Sequence, residues 1–370
     1  MDPKNRLNDD EDEVNKRIGR VRSRGFEFGD DYVTLAHGAG GKASAALVDA
    51  VFVDGYGNDV LQELGDAGVL PLAALPGCSE GARLAMSTDS YVVNPIEFPG
   101  GNIGELAVNG TVNDLAVSGA EPAVMSAAFV LEEGLEVARL RTIVASMRRA
   151  AARAGVQIVT GDTKVVPRGA ADGLYITTAG VGMVPAGRVL GASQVRRGDR
   201  LLLSGAIGDH GMAVMLARGD LAIVAPIESD TRAVNQMTAA LVDAAPQTRW
   251  MRDATRGGLA TVLNELALAS GLGVVVEDES VPVHDMTRGA CDMLGLDPLY
   301  VANEGTFVAV VPADQAEAAL AAVRAQPGGE EAALVGRIVA EPASSVVLVT
   351  GLGGTRMVDM LVGDPLPRIC

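Results

Sequence analysis

Aromatic side chains are scarce. Phe, Tyr and Trp make up 3% of the 370 residues, so a core must be built from Val, Leu, Ile, Ala and Met. With 48% hydrophobic and 21% charged residues, the composition is that of a soluble globular protein. Cysteine is nearly absent. The three present, Cys78, Cys291 and Cys370, are odd in number and form no CxxC pair, and histidines also number three. This argues against a disulfide framework and a structural zinc site and fits a reducing, cytoplasmic compartment. No apolar run is long enough to cross a bilayer. The N-terminus does not read as a signal peptide, because residues 8–12 are acidic and no apolar stretch follows. Positive charge is also in deficit. A net charge of −17 disfavours nucleic acid and membrane surfaces as partners, and a polyanion such as ATP would need a bridging cation or a locally positive pocket.

Glycine, by contrast, is abundant at 45 residues, which suits tight turns and backbone lying close to a ligand. The length predicts two domains. Residues 1–31 read as a charged, disordered extension. An N-terminal domain is expected over 32–184, and the breaker Pro185-Ala186-Gly187 opens a second α/β domain over 185–343. In the first, helices are expected over 41–53, 101–118 and 136–154, the last stopped by Gly155. Strands are expected over 83–93, 156–160 (short and buried) and 174–184. In the second, helices are expected over 212–218, 231–245, 259–270 and 313–325, and strands over 200–204, 273–277, 306–311 and 346–350. Residues 344–370 are expected to form a mobile tail, with Gly351, Gly353 and Gly354 as hinges and Pro365 and Pro367 stiffening the arm that ends in Cys370.

Several residues invite chemistry. Gly38-Ala39-Gly40-Gly41-Lys42 fails the Walker A test, which needs Gly at Ala36 and Ser or Thr at Ala43, yet its N–H groups and Lys42 suit phosphate. A simple turn is the alternative. On the 101–118 helix, Glu105, Asn109 and Asn113 share one face beside Asp114, either as a solvated face or as contacts to phosphate, water and metal. Asp66, Asp89, Asp114, Asp162 and Asp253 fall at strand ends, in loops or at helix starts, the kind of dispersed oxygen set a Mg²⁺–phosphate site uses. Singly, each is also an ordinary cap or turn residue. His210, between glycines before a helix, can reach a substrate or make a helix-start contact. Glu304, flanked by apolar strands, would have its pKa raised by burial and suit a general base, or sit in a plain hairpin turn. Cys370 puts a thiol at the tip of an arm, built for delivery between sites, though any terminus can fray.

Taken together, His37-Gly38-Ala39-Gly40-Gly41-Lys42, the block over 98–122, Gly161-Asp162-Thr163-Lys164, Arg252-Asp253-Ala254-Thr255-Arg256-Gly257-Gly258, Asn303-Glu304-Gly305 and the terminal Pro367-Arg368-Ile369-Cys370 resemble the HypE family of hydrogenase maturation factors from about Tyr32 onward. The resemblance implies a two-domain α/β fold like that of aminoimidazole ribonucleotide synthetase, with N-terminal sheets pairing in a homodimer that binds ATP where two subunits meet. It implies an ATP-dependent carbamoyl dehydratase. Cys370 receives a carbamoyl group from a HypF-type carbamoyltransferase, dehydration leaves a thiocyanate, and the cyano group passes to iron on a HypC–HypD scaffold for [NiFe]-hydrogenase. By matching motifs, Asp66, Asp89, Asp114 and Asp253 would hold Mg²⁺. Lys42, Asn109, Asp162 and Thr163 would lie near ATP, and Lys164, Glu304 and His210 would serve Cys370 in catalysis. Asp66 departs from the pattern, with Gly65-Asp66-Ala67-Gly68 where the family pairs aspartates. The alternatives are a related ATP-dependent small-molecule kinase or synthetase, which needs no terminal cysteine, and a non-catalytic thiol carrier, which would turn over no ATP.

Overall fold

The computed structural model describes residues 42–47, 49, 68–71, 83–219, 223–361 and 369–370. The extension over 1–31, Asp66, Cys78 and the Pro365 and Pro367 arm lie outside the described residues. The first unit comprises α1 (Lys42–Leu47), β1 (Gly68–Pro71), β2 (Arg83–Tyr91), the two-residue strands β3 (Glu97–Phe98) and β4 (Gly101–Asn102), α2 (Ile103–Val117), β5 (Glu121–Glu132), α3 (Val137–Ala154), β6 (Gln157–Val166) and β7 (Leu174–Val184). The second comprises β8 (Arg200–Leu203), α4 (Asp209–Ala217), α5 (Asn235–Ala244), β9 (Trp250–Asp253), α6 (Gly258–Ser270), β10 (Gly273–Glu277), α7 (Asp285–Leu294), β11 (Phe307–Val311), α8 (Ala316–Arg324), β12 (Ala333–Val339), β13 (Val346–Val349) and β14 (Thr355–Val358).

The first unit forms a five-stranded sheet in the order β1-β2-β7-β5-β6. Its one parallel pair is β5 with β6, and α3 supplies the crossover such a pair requires. The helix is amphipathic. Ile143, Met147, Ala150, Ala151 and Ala154 are buried, and Gly155 closes it at φ 73°, where a left-handed residue favours glycine. With α2, it packs on the buried side of the sheet, around Met125, Leu174 and Ile176.

The second sheet has seven strands in the order β14-β13-β10-β12-β8-β11-β9. Its middle strands read as unbroken apolar runs because both faces are covered. Leu201, Leu203, Val308 and Val310 meet α6. Leu202, Phe307, Ala309 and Val311, on the alternate face, meet α5, α8 and the C-terminal end of α2.

Four expectations change. The strand expected to be short and buried at 156–160 is β6, which spans Gln157–Val166 and is exposed along nearly its whole length, because it is an edge strand that no helix of the described residues covers. The helix expected from 231 begins only at Asn235. Side chains of α2 and of Asp230 itself engage the preceding segment, as described below. His210 lies in the first turn of α4, not in a loop before it. Residues 346–358 are not tail. β13 pairs in parallel with β10 and antiparallel with β14. Gly351, Gly353 and Gly354 therefore belong to the tight turn of a hairpin, closed by the 2.8 Å bonds from Gly353 N–H to Thr350 O and from Thr350 N–H to Gly354 O, rather than to a tail hinge.

Candidate active site

Helix α2 runs along the seam between the two units. Its start is capped by Asn102, whose Oδ1 accepts from the N–H groups of Gly104 (2.9 Å) and Glu105 (3.2 Å), satisfying donors that a helix start leaves open. Thirteen of its 15 residues are buried, Asn109 and Asn113 among them. The polar face is not solvated. It meets the segment 229–234 of the second unit. Asn109 Nδ2 donates to Thr231 Oγ1 at 3.2 Å, Asn113 Nδ2 donates to the carbonyls of Arg232 (3.0 Å) and Glu304 (3.1 Å), and Asn113 Oδ1 accepts from Val234 N–H at 2.8 Å. Asn109 Oδ1 is buried without a partner among the described residues, a costly state for an acceptor unless a ligand completes it. At the next position, a Cβ on Gly110 would stand 2.2 Å from Tyr91 Oη. Only glycine lets that phenol reach Asp89, to which it donates at 3.1 Å. Asp114, on the same helix, accepts from the Ser87 hydroxyl.

Glu304 is 3% exposed. Its carboxyl is pushed well above the usual range, by burial first and then by the charges of Asp253, Asp230 and Asp89, with Arg256 opposing. A carboxyl raised in this way binds a proton more tightly than an exposed one, as a general base requires. Its backbone is fixed on both sides. Asp230 accepts from the N–H groups of Glu304 (2.9 Å) and Gly305 (3.0 Å), and the Glu304 carbonyl accepts from Asn113. A Cβ on Gly305 would lie 1.9 Å from the Asp230 carbonyl, so this close approach also requires glycine.

The chain terminus lies in the same seam. Ile369 is 4% exposed and belongs to a core cluster shared by the two units, with Cys370 packed against it. The Ile369 carbonyl lies 2.6 Å from His210 Nε2, and the Cys370 main-chain oxygen accepts from Val92 N–H at 3.1 Å. The negative charge of Cys370 is the foremost influence holding Arg256 protonated, followed among the charges by Asp89, Glu304 and Tyr91. Cys370, Arg256, Asp89 and Glu304 therefore share one electrostatic neighbourhood. His210 is wholly buried, and burial pushes its pKa down despite the opposing Asp230 charge. The imidazole is neutral and meets an acceptor-only carbonyl, so Nε2 carries the proton and Nδ1 accepts from the Ser229 hydroxyl at 2.7 Å. Of the other thiols, Cys291 is buried and raised to about 11, by burial before the nearby Asp292 and Asp297, which leaves it a poor nucleophile.

The remaining expected residues do not gather here. Lys42 pairs with Asp359 at 3.6 Å. Asp162 and Lys164 sit on β6, side chains 63% and 70% exposed, paired with each other at 3.1 Å. Thr163 N–H bonds to the same carboxylate at 2.8 Å, and these contacts hold Asp162 below the usual carboxylate range. Strand registers give the separation. Asp89 stands opposite Thr178, Thr178 opposite Ala127, and Ala127 opposite Gly161. Three strand spacings make about 14 Å. Among the described residues, no three carboxylate, thiol or imidazole groups gather to hold a metal, so Asp89, Asp114 and Asp253 are not a preformed cage. The sequence reading missed Tyr91, Arg256, Ser229 and Asp230. Arg256 had a signal, sitting three residues after Asp253 before a pair of glycines. The others had none, since no periodicity marks 229–232.

The family model "AIR synthase related protein, N-terminal domain" matches residues 64–184, and "AIR synthase related protein, C-terminal domain" matches 196–349. The chain is 55% identical over 341 residues to the carbamoyl dehydratase HypE of Rhodobacter capsulatus, covering 92% of this chain and 99% of that protein. A crystal structure of a HypE–HypF complex superposes with a TM-score of 0.79 at 41% identity, over 85% of this chain and 100% of that one. Another, of the hydrogenase maturation protein HypE in complex with ATP, gives 0.74 at 46% identity, over 92% and 100%.

Proposed function

The chain belongs to the HypE family of carbamoyl dehydratases, and from that premise we propose how its seam carries out the reaction. The activity is ATP-dependent carbamoyl dehydration in hydrogenase maturation. The carrier is Cys370, loaded as an S-carbamoyl group by a HypF-type carbamoyltransferase. Dehydration removes the carboxamide oxygen and both N–H protons and leaves S–C≡N. ATP supplies the phosphoryl group that carries the oxygen away. Glu304 takes the protons. Its raised pKa makes it the stronger base, and its rigid backbone fixes where that base stands. Val92 N–H holds the Cys370 main-chain oxygen and the charge of Cys370 acts on Arg256, which brings the thiol into the neighbourhood of Glu304.

The observation that carries this reading is the position of the chain's own terminus, docked between His210 and Val92 in the neighbourhood of Glu304. Neither a small-molecule kinase nor a passive carrier requires that arrangement. Docking is weak enough to reverse. Burying Ile369 contributes about 1.5–3 kcal/mol and each hydrogen bond about 1 kcal/mol, while each backbone residue held still costs about 1–2 kcal/mol. The docked and free states are thus close in free energy, as delivery to HypF and to a HypC–HypD scaffold demands.

Mg²⁺–ATP suits the groups present. The buried, unpartnered Asn109 Oδ1, with Asp89 and Asp114 nearby, offers oxygen ligands to a cation that keeps its other positions for water and phosphate. Asp253, and Asp66 outside the described residues, complete the proposed set, Lys42 would approach the nucleotide from the N-terminal segment, and Thr163 would do so from β6 of the partner subunit. The partner subunit of a homodimer supplies Asp162 and Lys164, since β6 leaves Ile158, Val159 and Val165 exposed on its own chain. No helix of the described residues is long and apolar enough to cross a membrane, and the cytoplasm is the proposed compartment.

Intact-mass analysis with carbamoyl phosphate, the HypF-type enzyme and ATP tests the reading. The expected result is a carbamoyl adduct on the terminal peptide that then loses one water with phosphate release. Cys370→Ala gives neither, and appending residues after Cys370 lowers turnover about tenfold, in keeping with loss of hydrogen bonds to a charged group. Adducts on Cys78 or Cys291 would overturn it.

A further inference from the structure

The segment 229–232 has no regular secondary structure, yet both halves of the site hang on it. Ser229 is held in place by its N–H bond to the Pro99 carbonyl at 2.8 Å. Its hydroxyl accepts from Thr231 N–H at 3.1 Å, which leaves the hydroxyl proton to point at His210 Nδ1, 2.7 Å away. That proton fixes the tautomer in which Nε2–H faces the Ile369 carbonyl. Phe98 packs edge-on against the same imidazole, with ring centroids 5.5 Å apart, and restricts its rotation. The next residue faces the other way. Asp230, 6% exposed, holds the N–H groups of Glu304 and Gly305, and its Oδ2 lies 3.1 Å from the Thr306 hydroxyl. Thr231 and Arg232 tie the segment to α2 through Asn109 and Asn113. Arg232 Nε and Nη1 donate to the carbonyls of Asp230 (3.0 Å) and Gly328 (2.7 Å).

We propose that Ser229 and Asp230 are a pair of positioning residues with separate tasks. Ser229, through His210, sets whether the chain terminus is seated, and Asp230, through the backbone at 304–305, sets where the base stands. The inference rests on the reading of Cys370 as carrier and Glu304 as base. Because the two residues are adjacent, seating of the substrate arm and placement of the base are referenced to one rigid piece of backbone, itself anchored to the helix that offers Asn109 to the nucleotide.

The test uses the full-length protein with two readouts. The first is the rate at which iodoacetamide alkylates Cys370, followed by mass spectrometry of the terminal peptide without ATP or partner. The second is phosphate release with the carbamoylated protein. Ser229→Ala should raise the alkylation rate about fivefold, the effect of losing one hydrogen bond, and Ser229→Thr, which keeps the hydroxyl, should restore it. Asp230→Asn keeps the shape but turns an acceptor into a donor facing an N–H group. It should leave alkylation within about twofold of wild type, lower kcat by up to about 10²-fold, the cost of a small misplacement of a reacting group, and leave KM for ATP unchanged. The division of tasks is overturned if both variants change alkylation and kcat in parallel, or if Ser229→Ala leaves alkylation at the wild-type rate. Wild-type protein that never acquires a carbamoyl group on Cys370 would instead sink the proposed function, while the alkylation comparison would still decide the role of Ser229.

Discussion

The seam and the outer strand β6 carry the two halves of the expected catalytic set, and they differ in every physical respect. At the seam, Glu304, His210, Asn109 and Ile369 are almost fully buried, each makes at least one long-range hydrogen bond, and the charges around Glu304 perturb one another. On β6, Asp162 and Lys164 are exposed and pair only locally, while the apolar Val159 and Val165 beside them face solvent. An exposed, partly apolar edge strand is unusual in a finished structure, because it is a template for pairing. The lesson is that one chain organises the carrier and the base but leaves a set of polar groups on a surface that a second copy would cover.

Three experiments break or sharpen that contrast. The largest effect is expected at Glu304. Glu304→Gln should lower dehydration by about 10²–10⁴-fold while leaving nucleotide binding intact, read by phosphate release and calorimetry. The same substitution should stabilise the fold in a pH-dependent way. A carboxyl whose folded pKa is raised opposes folding as pH climbs above its unfolded value, because the folded state must retain a proton or carry a buried charge. Urea melts should therefore show no gain below the ordinary carboxylate range and a growing gain above it. Equal stability of wild type and variant at pH 8 would contradict the buried, charge-crowded setting of this residue.

Next is the outer strand. If β6 forms the proposed homodimer contact, Val159→Asp or Val165→Asp should give a monomer in light scattering, with ATP turnover falling at least tenfold because Asp162 and Lys164 would no longer reach a partner's site. Their cost to the folding of one chain should be within about 0.5 kcal/mol, as for other surface substitutions. A fully active monomer would mean that β6 plays no part in the site.

The smallest effect is expected at the surface end of the α4 helix start, at His284, which bridges Asp209 (2.7 Å), the neighbour of His210, and Glu331 (2.9 Å). Desolvation pulls its pKa down, but the two carboxylates outweigh this and raise it. The bridge therefore stabilises the fold most below the ordinary histidine range, and the contribution fades as pH rises through the raised value. The imidazole is half exposed, so solvent screening limits the effect. His284→Ala should cost at most about 1 kcal/mol at pH 5.5 and close to nothing at pH 9. A cost that does not change with pH would assign His284 a packing role instead.

Much of the fold was legible because local rules are strong where one face is buried. The periodicity of α3 and its stop at Gly155, β7 over Leu174–Val184 and β10 over Gly273–Glu277 followed from spacing and breakers alone. Strand β5, central to the first sheet, escaped notice because its Ala, Ser, Met and Val residues carry no clean alternation. Strand β6 reads as buried because Val156, Ile158 and Val159 are apolar, whereas an edge position is a property of the sheet.

The sequence by itself determined the composition of the two cores, the polar face of α2, the capped and punctuated helices and a lone thiol on the last residue. It also marked Glu304 as a carboxylate flanked by apolar strands. Only the tertiary structure decided that Asn113, the carbonyl of Glu304 and the segment 229–234 meet, that His210 serves the terminus, and that Asp162 and Lys164 stand about 14 Å from the row of Asp89. The reason is physical. Periodicity and capping act over a few residues and are written in the local chain. Hydrogen bonds such as that from His210 to Ile369, 159 positions apart, depend on which buried groups find partners once the two sheets have closed on α2.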